Sequence, residues 1–92
     1  MRKILTFGNY SAELFIDNVG AFLAMDENRL PLKLADTLNS ADGINVALVE
    51  MNDGCGCIHL TYDIPASDLL AEVCDAITRV YDTDMTVLNA RP

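Results

Sequence analysis

The chain has 92 residues, 51% of them hydrophobic, and a formal net charge of −8. A chain of this length and composition is expected to form a single globular domain over residues 1–92, with a core large enough to fold without disulfides. The acidic balance argues against direct binding to nucleic acid or to an anionic membrane, because both need a basic protein surface.

Nothing near the N-terminus indicates export. The apolar run at residues 4–7 is too short for the core of a signal peptide, and no run is long enough to span a membrane. Three cysteines in a chain without an export signal are typical of free thiols in a reducing compartment. We therefore expect a cytoplasmic protein with no membrane partner.

The first two predicted strands form a hairpin. Residues 3–7 and 10–16 are rich in apolar side chains and are separated by a Gly-Asn pair, which is typical of a two-residue turn. Such a turn pairs Phe7 with Tyr10 and places most of the apolar side chains on one face. We interpret that face as core and the opposite, mixed face as solvent-exposed.

Residues 19–25 fit two patterns, a third strand and a helical turn. A glycine within the segment and the hairpin before it favour the strand. Pro31 then suits the first turn of a helix, with Leu34 and Leu38 on the buried side and Gly43 as its end.

Residues 44–51 and 57–64 predict a second hairpin. In the later strand apolar and polar residues alternate, as they do in a half-buried strand. Two loops fit this hairpin. A two-residue turn at Asp53 and Gly54 places one face of the earlier strand inward, and a three-residue loop places the other face inward, so the register stays open. Both faces of residues 44–51 are fairly apolar, which favours a central position in the sheet.

A second helix is predicted after Pro65, with Ser67 as N-cap. Its apolar stripe is formed by Leu70, Val73, Ile77 and Val80, and its polar stripe by Asp68, Glu72, Asp75 and Arg79. Residues 84–88 predict a short edge strand. The whole pattern indicates an α+β fold: a two-layer sandwich in ββ(β)αββα order, with two helices on one face of an antiparallel sheet of four to five strands.

Two cysteines and the single histidine lie close together, at Cys55, Cys57 and His59. On a continuous strand these side chains would point the same way, about 7 Å apart. A structural zinc site needs four ligands, usually from two separated pairs, and the remaining thiol, Cys74, lies on the predicted helix. We therefore interpret the segment as a Gly-rich turn and expect no metal and no cofactor, with a metal or redox module as the alternative.

Catalytic motifs are missing from the sequence. The chain has one histidine, no Gly-x-Ser-x-Gly and no recognisable spacing of nucleophile and base. Only carboxylate pairs remain as candidates, and most carboxylates are expected on solvated faces. We therefore predict that the protein is not an enzyme.

The negative charge is concentrated in the middle of the chain. No Lys or Arg lies between Lys33 and Arg79, whereas eight acids do, and charges elsewhere cancel. Carboxylates three or four residues apart on a helix lie about 5–6 Å apart, which is comparable to the spacing of phosphates along a nucleic-acid strand. Solubility alone would account for such a surface. The more specific hypothesis is a binding face of Asp63, Asp68, Glu72 and Asp75, with Glu50 and Asp53 at its rim, that occupies the basic groove of a nucleic-acid-binding protein.

In size and charge, and in no motif, the chain is similar to phage-encoded inhibitors of host defence, including anti-CRISPR and anti-restriction proteins. This similarity implies a non-enzymatic inhibitor or adaptor that mimics nucleic acid. The alternative is a homodimer or assembly subunit that uses an apolar sheet face, because Phe22, Met25, Val49 and Met51 exceed what one small core is expected to bury.

Overall fold

The computed structural model describes residues 1–25, 31–52 and 54–89. The elements in chain order are strands β1 (Arg2–Phe7), β2 (Tyr10–Ile16) and β3 (Ala21–Met25), helix α1 (Pro31–Asn39), strands β4 (Ile44–Asn52) and β5 (Cys55–Tyr62), helix α2 (Ala66–Tyr81) and strand β6 (Met85–Asn89). The predicted α+β sandwich is confirmed, with six strands instead of four or five.

All six strands form one antiparallel sheet in the order β4-β5-β3-β2-β1-β6. The first hairpin has the predicted register, with Phe7 opposite Tyr10. Gly8 has a φ of 60°, the left-handed conformation that a tight hairpin turn requires. Ala21–Met25 is a strand, as favoured, and the tail forms the predicted edge strand by pairing with β1.

The structure resolves the register of the second hairpin. Asn52 lies opposite Cys55, so two residues form the turn. The ladder is interrupted at Ala47, because Val46 pairs with Leu60 whereas Leu48 pairs with the adjacent His59. A bulge of one residue moves all later side chains to the opposite face. Val46 and Val49 therefore both pack against the core.

The prediction that residues 44–51 form a central strand is wrong, because β4 lies at one edge of the sheet. Its apolar character has a different cause. One face packs against the core through Ile44 and Val46, whereas the other carries Leu48, which is 51% exposed. The face that carries Leu48 is therefore apolar and exposed; it is not buried between two layers as it would be in a central strand.

Helix α1 packs on the core face of the sheet. Leu34 and Leu38 are fully buried, as predicted. The helix ends at Asn39, however, four residues before the predicted end at Gly43. Gly43 has a φ of 82° in the turn that leads into β4.

Helix α2 packs beside α1 on the same face of the sheet. It begins at Ala66 after Pro65 and has no side-chain cap, so Ser67 is not its N-cap. Its buried residues are Leu69, Val73, Ala76 and Ile77. The predicted Leu70 and Val80 are only partly buried, so the apolar stripe is rotated slightly from the predicted one.

Three aromatic rings connect the end of α2 to the first hairpin. The ring centroid of Tyr81 lies 4.8 Å from that of Phe7 and 5.8 Å from that of Tyr10.

Within the described residues no helix is long and apolar enough to cross a membrane. Because α1 and α2 both pack against the core face, neither covers the opposite face of the sheet.

Candidate functional site

A group of exposed carboxylates lies on the helical side of the molecule. We call it the acidic helical surface, formed by Asp42, Asp63, Asp68, Glu72 and Asp75. The last three lie on α2, and the first two lie on the segments that join the helices to β4 and β5. These three side chains are exposed because Leu69 and Val73, which lie between them in the sequence, turn the other side of the helix towards the core.

A groove of about 110 Å³ separates the C-terminal part of α1 from α2. Thr37 and Ser40 line it from the α1 side, and Glu72, Asp75 and Arg79 line it from α2. Arg79 donates a hydrogen bond to the carboxylate of Asp75 one turn earlier. Both side chains are more than half exposed, so solvent screens this pair and it adds little to stability.

A larger polar hollow of about 460 Å³ lies next to this groove. Asp42 and Asp63 line it, and the backbone N–H of Asp63 donates to the carbonyl of Gly43 over 3.0 Å, which ties the two loops together. Ser40 and Ala41 line both the hollow and the groove. The two depressions therefore adjoin and bring four carboxylates to one surface.

The structure assembles part of the predicted binding face. Asp63, Glu72 and Asp75 surround the adjoining depressions, and Asp68 lies one turn before Glu72. Asp53 lies outside the described residues. The sequence analysis left Asp42 out of the site. Strand pairing could have identified it, because Asp42 precedes β4 where Asp63 follows β5, and a hairpin brings those two ends together.

Glu50 lies on the opposite side of the sheet from α2. Its Oε1 is 2.7 Å from Nε2 of His59, and Sγ of Cys57 is 3.7 Å from the same nitrogen. The His59 ring packs edge-on against Phe22, with centroids 4.7 Å apart. Because the sheet separates Glu50 from the acidic helical surface, this carboxylate belongs to a different surface.

The cluster of Glu50, Cys57 and His59 does not have the properties of an activated nucleophile. Burial, together with the nearby Glu50 and Cys55, raises the pKa of the Cys57 thiol to about 11. A nucleophilic cysteine needs a lowered pKa, because the thiolate is the reactive form. Both neighbours of His59 also contact the same ring nitrogen, whereas a catalytic triad uses both nitrogens.

The other thiols do not extend this cluster into a metal centre. Cys55, Cys57 and Cys74 are all free, and Cys74 lies on α2, across the sheet from His59. In the described part of the chain, no group of three or more His, Cys, Asp or Glu side chains is arranged to hold a metal ion. The geometry is that of a hairpin in which Cys57 and His59 contact neighbouring side chains and Cys55 is exposed.

The side of the sheet opposite the two helices carries apolar side chains. We call it the open sheet face, formed by the outward residues Arg2, Ile4, Thr6, Ser11, Glu13, Phe15, Phe22, Ala24, Leu48, Glu50, Cys57, His59, Thr86 and Leu88. The guanidinium of Arg2 lies 5.3 Å from the centre of the Phe15 ring and pairs with Glu13 at 2.8 Å.

The exposed apolar residues differ in part from the predicted ones. Phe22 is on the open sheet face and Met51 is half exposed at the edge strand, but Met25 is buried in the core and Val49 packs against it. Strand alternation could have identified Phe15, which lies between the buried Leu14 and Ile16.

Comparison with known proteins gives no match: no protein-family model, no curated protein and no solved structure matches this chain.

Proposed function

We propose that this chain is a non-enzymatic protein-binding domain whose acidic helical surface blocks the nucleic-acid-binding surface of a basic partner protein. The observation that supports this most directly is the pair of adjoining depressions that collects Asp42, Asp63, Glu72 and Asp75. Among the described residues that line them, Arg79 is the one base, and it contacts Asp75.

The spacing of the carboxylates supports mimicry of nucleic acid. Asp68, Glu72 and Asp75 follow one another at helical intervals, so neighbours lie about 5–6 Å apart, comparable to successive phosphates. Arginine side chains that bind phosphate bind carboxylate in the same bidentate manner. A surface of this kind would attract a basic groove from a distance and would lose affinity at high salt.

We propose that the domain acts as an inhibitor. A domain that occupies a nucleic-acid-binding groove prevents the partner from binding its own substrate, which is how an anti-CRISPR or anti-restriction type of inhibitor would act. The small size and acidic charge of the chain suit this role. The protonated thiol of Cys57, next to His59, offers no activated nucleophile that would favour an enzyme instead.

A binding experiment with a charge-reversed variant tests the proposal. The protein is immobilised, exposed to a nuclease-treated lysate of host cells at about 0.15 M salt, where screening extends about 8 Å, and washed free of nuclease. We expect a basic nucleic-acid-binding protein to be retained and then displaced by added DNA or RNA. Glu72→Lys/Asp75→Lys should abolish its retention while leaving the domain folded.

The matched control is Asp36→Lys/Asp84→Lys, which changes the net charge by the same amount at exposed positions outside the two depressions. The control should retain the partner. Equal loss of partner retention in both variants would show that binding depends only on net charge. Retention of the partner by Glu72→Lys/Asp75→Lys, or a failure of nucleic acid to displace it, would contradict the proposal.

A further inference from the structure

A second interaction surface lies on the other side of the molecule, and it does not depend on the proposed function. We propose that the open sheet face is a homodimer interface in which two copies of this chain pack face to face.

The centre of this face is aromatic. Phe15 and Phe22 lie on β2 and β3, the two central strands, with ring centroids 5.9 Å apart, and Phe15 is 38% exposed. A shallow hollow of about 350 Å³ beside them is also lined by Val19, which is 89% exposed, and by Ala47. Leu48 and Leu88 lie half exposed at the two edges of the sheet. An aromatic centre within an exposed apolar patch is typical of a protein interface.

The placement of charge permits two such faces to meet. The charged and titratable side chains of the open sheet face are Arg2, Glu13, Glu50, Cys57 and His59, and Asp17 lines the hollow at its end. The acidic helical surface lies on the far side of the sheet. In a face-to-face dimer the acidic helical surfaces would point away from each other, which keeps most of the negative charge of the two copies apart.

The face is complementary to itself. Leu48, His59, Phe22, Phe15 and Arg2 form one row across β4, β5, β3, β2 and β1. A two-fold axis parallel to the strands and between β2 and β3 reverses this row in the second copy. Phe15 of each copy then lies over Phe22 of the other, within the roughly 30° rotation usual for packed sheets.

The same axis brings Arg2 of one copy towards Glu50 of the other, and the two Glu13 carboxylates that approach each other across the axis are each paired with the Arg2 of their own chain. Arg2 of one copy lies over His59 of the other, beside Glu50 from the neighbouring strand. The guanidinium has five N–H donors and can bind this carboxylate while it retains Glu13. The two-fold symmetry produces this contact twice, which fixes the orientation of the two copies.

Pairing through the β4 edge of the sheet is less favourable than pairing through the face. The bulge at Ala47 interrupts β4, and the side chain of Asn39 accepts a hydrogen bond from the N–H of Val46 along the same strand. Both features are means by which edge strands avoid pairing with other chains.

The size of the face predicts a weak, reversible dimer. Six strands about 4.8 Å apart, each contributing about five residues of 3.3 Å, give a face of roughly 500 Å² in projection. Two such faces amount to roughly 1,000 Å², at the small end of specific interfaces, so we expect dissociation constants on the order of micromolar or higher.

Sedimentation velocity tests the proposal. We expect the wild-type chain to show a reversible monomer–dimer equilibrium between about 10 µM and 1 mM. Phe15→Glu should raise the dissociation constant at least about tenfold, because it places a charge at the apolar centre of both copies. Leu32→Glu, an exposed apolar position on α1, is the matched control and should leave the equilibrium unchanged. Circular dichroism checks the fold, and Leu48→Glu replaces Phe15→Glu if the latter does not fold.

A charge swap tests the orientation of the two copies. Arg2 and Glu50 lie four strand spacings apart in one chain, about 19 Å, so they cannot contact each other within it. Arg2→Glu and Glu50→Arg should each raise the dissociation constant severalfold, and the double variant should bind more tightly than either single variant without regaining the wild-type value, because Glu13 loses its partner Arg2. A monomer over the whole concentration range would overturn the proposal. So would a dimer insensitive to the central substitution, or a double variant no tighter than the single ones.

Discussion

The side chain of Asn39, the last residue of α1, accepts a hydrogen bond from the backbone N–H of Val46 in the edge strand β4, with Oδ1 3.0 Å from the nitrogen. The bulge at Ala47 follows immediately. Edge strands expose backbone groups that pair readily with other chains. The side-chain amide of Asn39 therefore occupies one backbone group at the edge that β4 would otherwise expose to other chains.

Removal of this amide should destabilise the domain slightly. We expect Asn39→Ala to lower the free energy of unfolding by about 0.5–1 kcal/mol, since one hydrogen bond is lost and the better helix propensity of alanine offsets part of the loss. Urea denaturation measures the change. Asn45→Ala, an exposed asparagine on β4, is the control and should stay within about 0.5 kcal/mol of wild type. Equal effects of the two substitutions would show that the Asn39 contact contributes nothing.

Gly43 and Gly54 provide a matched pair for steric and conformational effects. Both have positive φ, 82° and 70°. A Cβ at Gly43 would lie 2.5 Å from Cγ2 of Ile64 and 2.7 Å from Oδ1 of Asp63, whereas a Cβ at Gly54 would meet no atom within 4 Å. Gly54→Ala should cost about 1 kcal/mol through backbone strain alone, and Gly43→Ala at least about 2 kcal/mol, because overpacking adds to the strain. Thermal and chemical denaturation of the two variants should rank them in this order; the reverse order would contradict the predicted clash.

The three thiols should differ in reactivity. Cys55 is exposed, whereas burial raises the pKa of both Cys57 and Cys74. Because the thiolate is the reacting form, a thiol reagent at pH 8 should modify one cysteine per native chain rapidly, and Cys55→Ala should remove this fast phase. All three should react quickly in denaturant. Fast modification of Cys57 in the native chain would show that it is not held protonated.

The stability of the domain should fall at alkaline pH. The pKa of Cys57 is raised from 9.0 to about 11 on folding. Between these values the unfolded chain loses the proton while the folded chain keeps it, so the free energy of unfolding decreases as the pH rises through this window. Denaturation curves at successive pH values measure the decline, which Cys57→Ala should reduce. An identical pH dependence in wild type and Cys57→Ala would contradict this assignment.

Asp17 should stabilise the β2–β3 turn at neutral pH. Its Oδ1 accepts hydrogen bonds from the backbone N–H groups of Gly20 and Val19, which lower the pKa of the carboxyl below 3.8. The contribution is present above the unfolded pKa and is lost as the pH falls through the folded pKa. Asp17→Ala should therefore lower the melting temperature at pH 7, and the difference from wild type should shrink towards about pH 2. Asn18→Ala in the same turn is the control; a difference that persists in acid would contradict the role of the ionised carboxylate.

Local patterns predicted much of this fold. The Gly-Asn turn determined the register of the first hairpin, because a two-residue loop allows only one pairing of Phe7 and Tyr10. The order of the strands was not predictable in the same way. Pairing of β3 with β5 depends on which edges of two similar apolar hairpins meet, and nothing local to either hairpin specifies that contact.

The positions of the candidate site residues were also predictable only where they depend on local sequence. Helical spacing correctly predicted that Glu72 and Asp75 would share an exposed surface. The side of the sheet on which Glu50 lies depended on one extra residue, Ala47, because a bulge reverses every later side chain of the strand. No composition or periodicity in the strand marks that position.

The aromatic cluster of Phe7, Tyr10 and Tyr81 gives the molecule a built-in optical probe. The chain has no tryptophan, so its intrinsic emission comes from three tyrosines, and two of them lie in this cluster. Tyr62 is the third, and its hydroxyl donates to the carbonyl of Asp17 over 2.7 Å. Near-ultraviolet dichroism and tyrosine fluorescence therefore follow the docking of α2 onto the first hairpin without any added label.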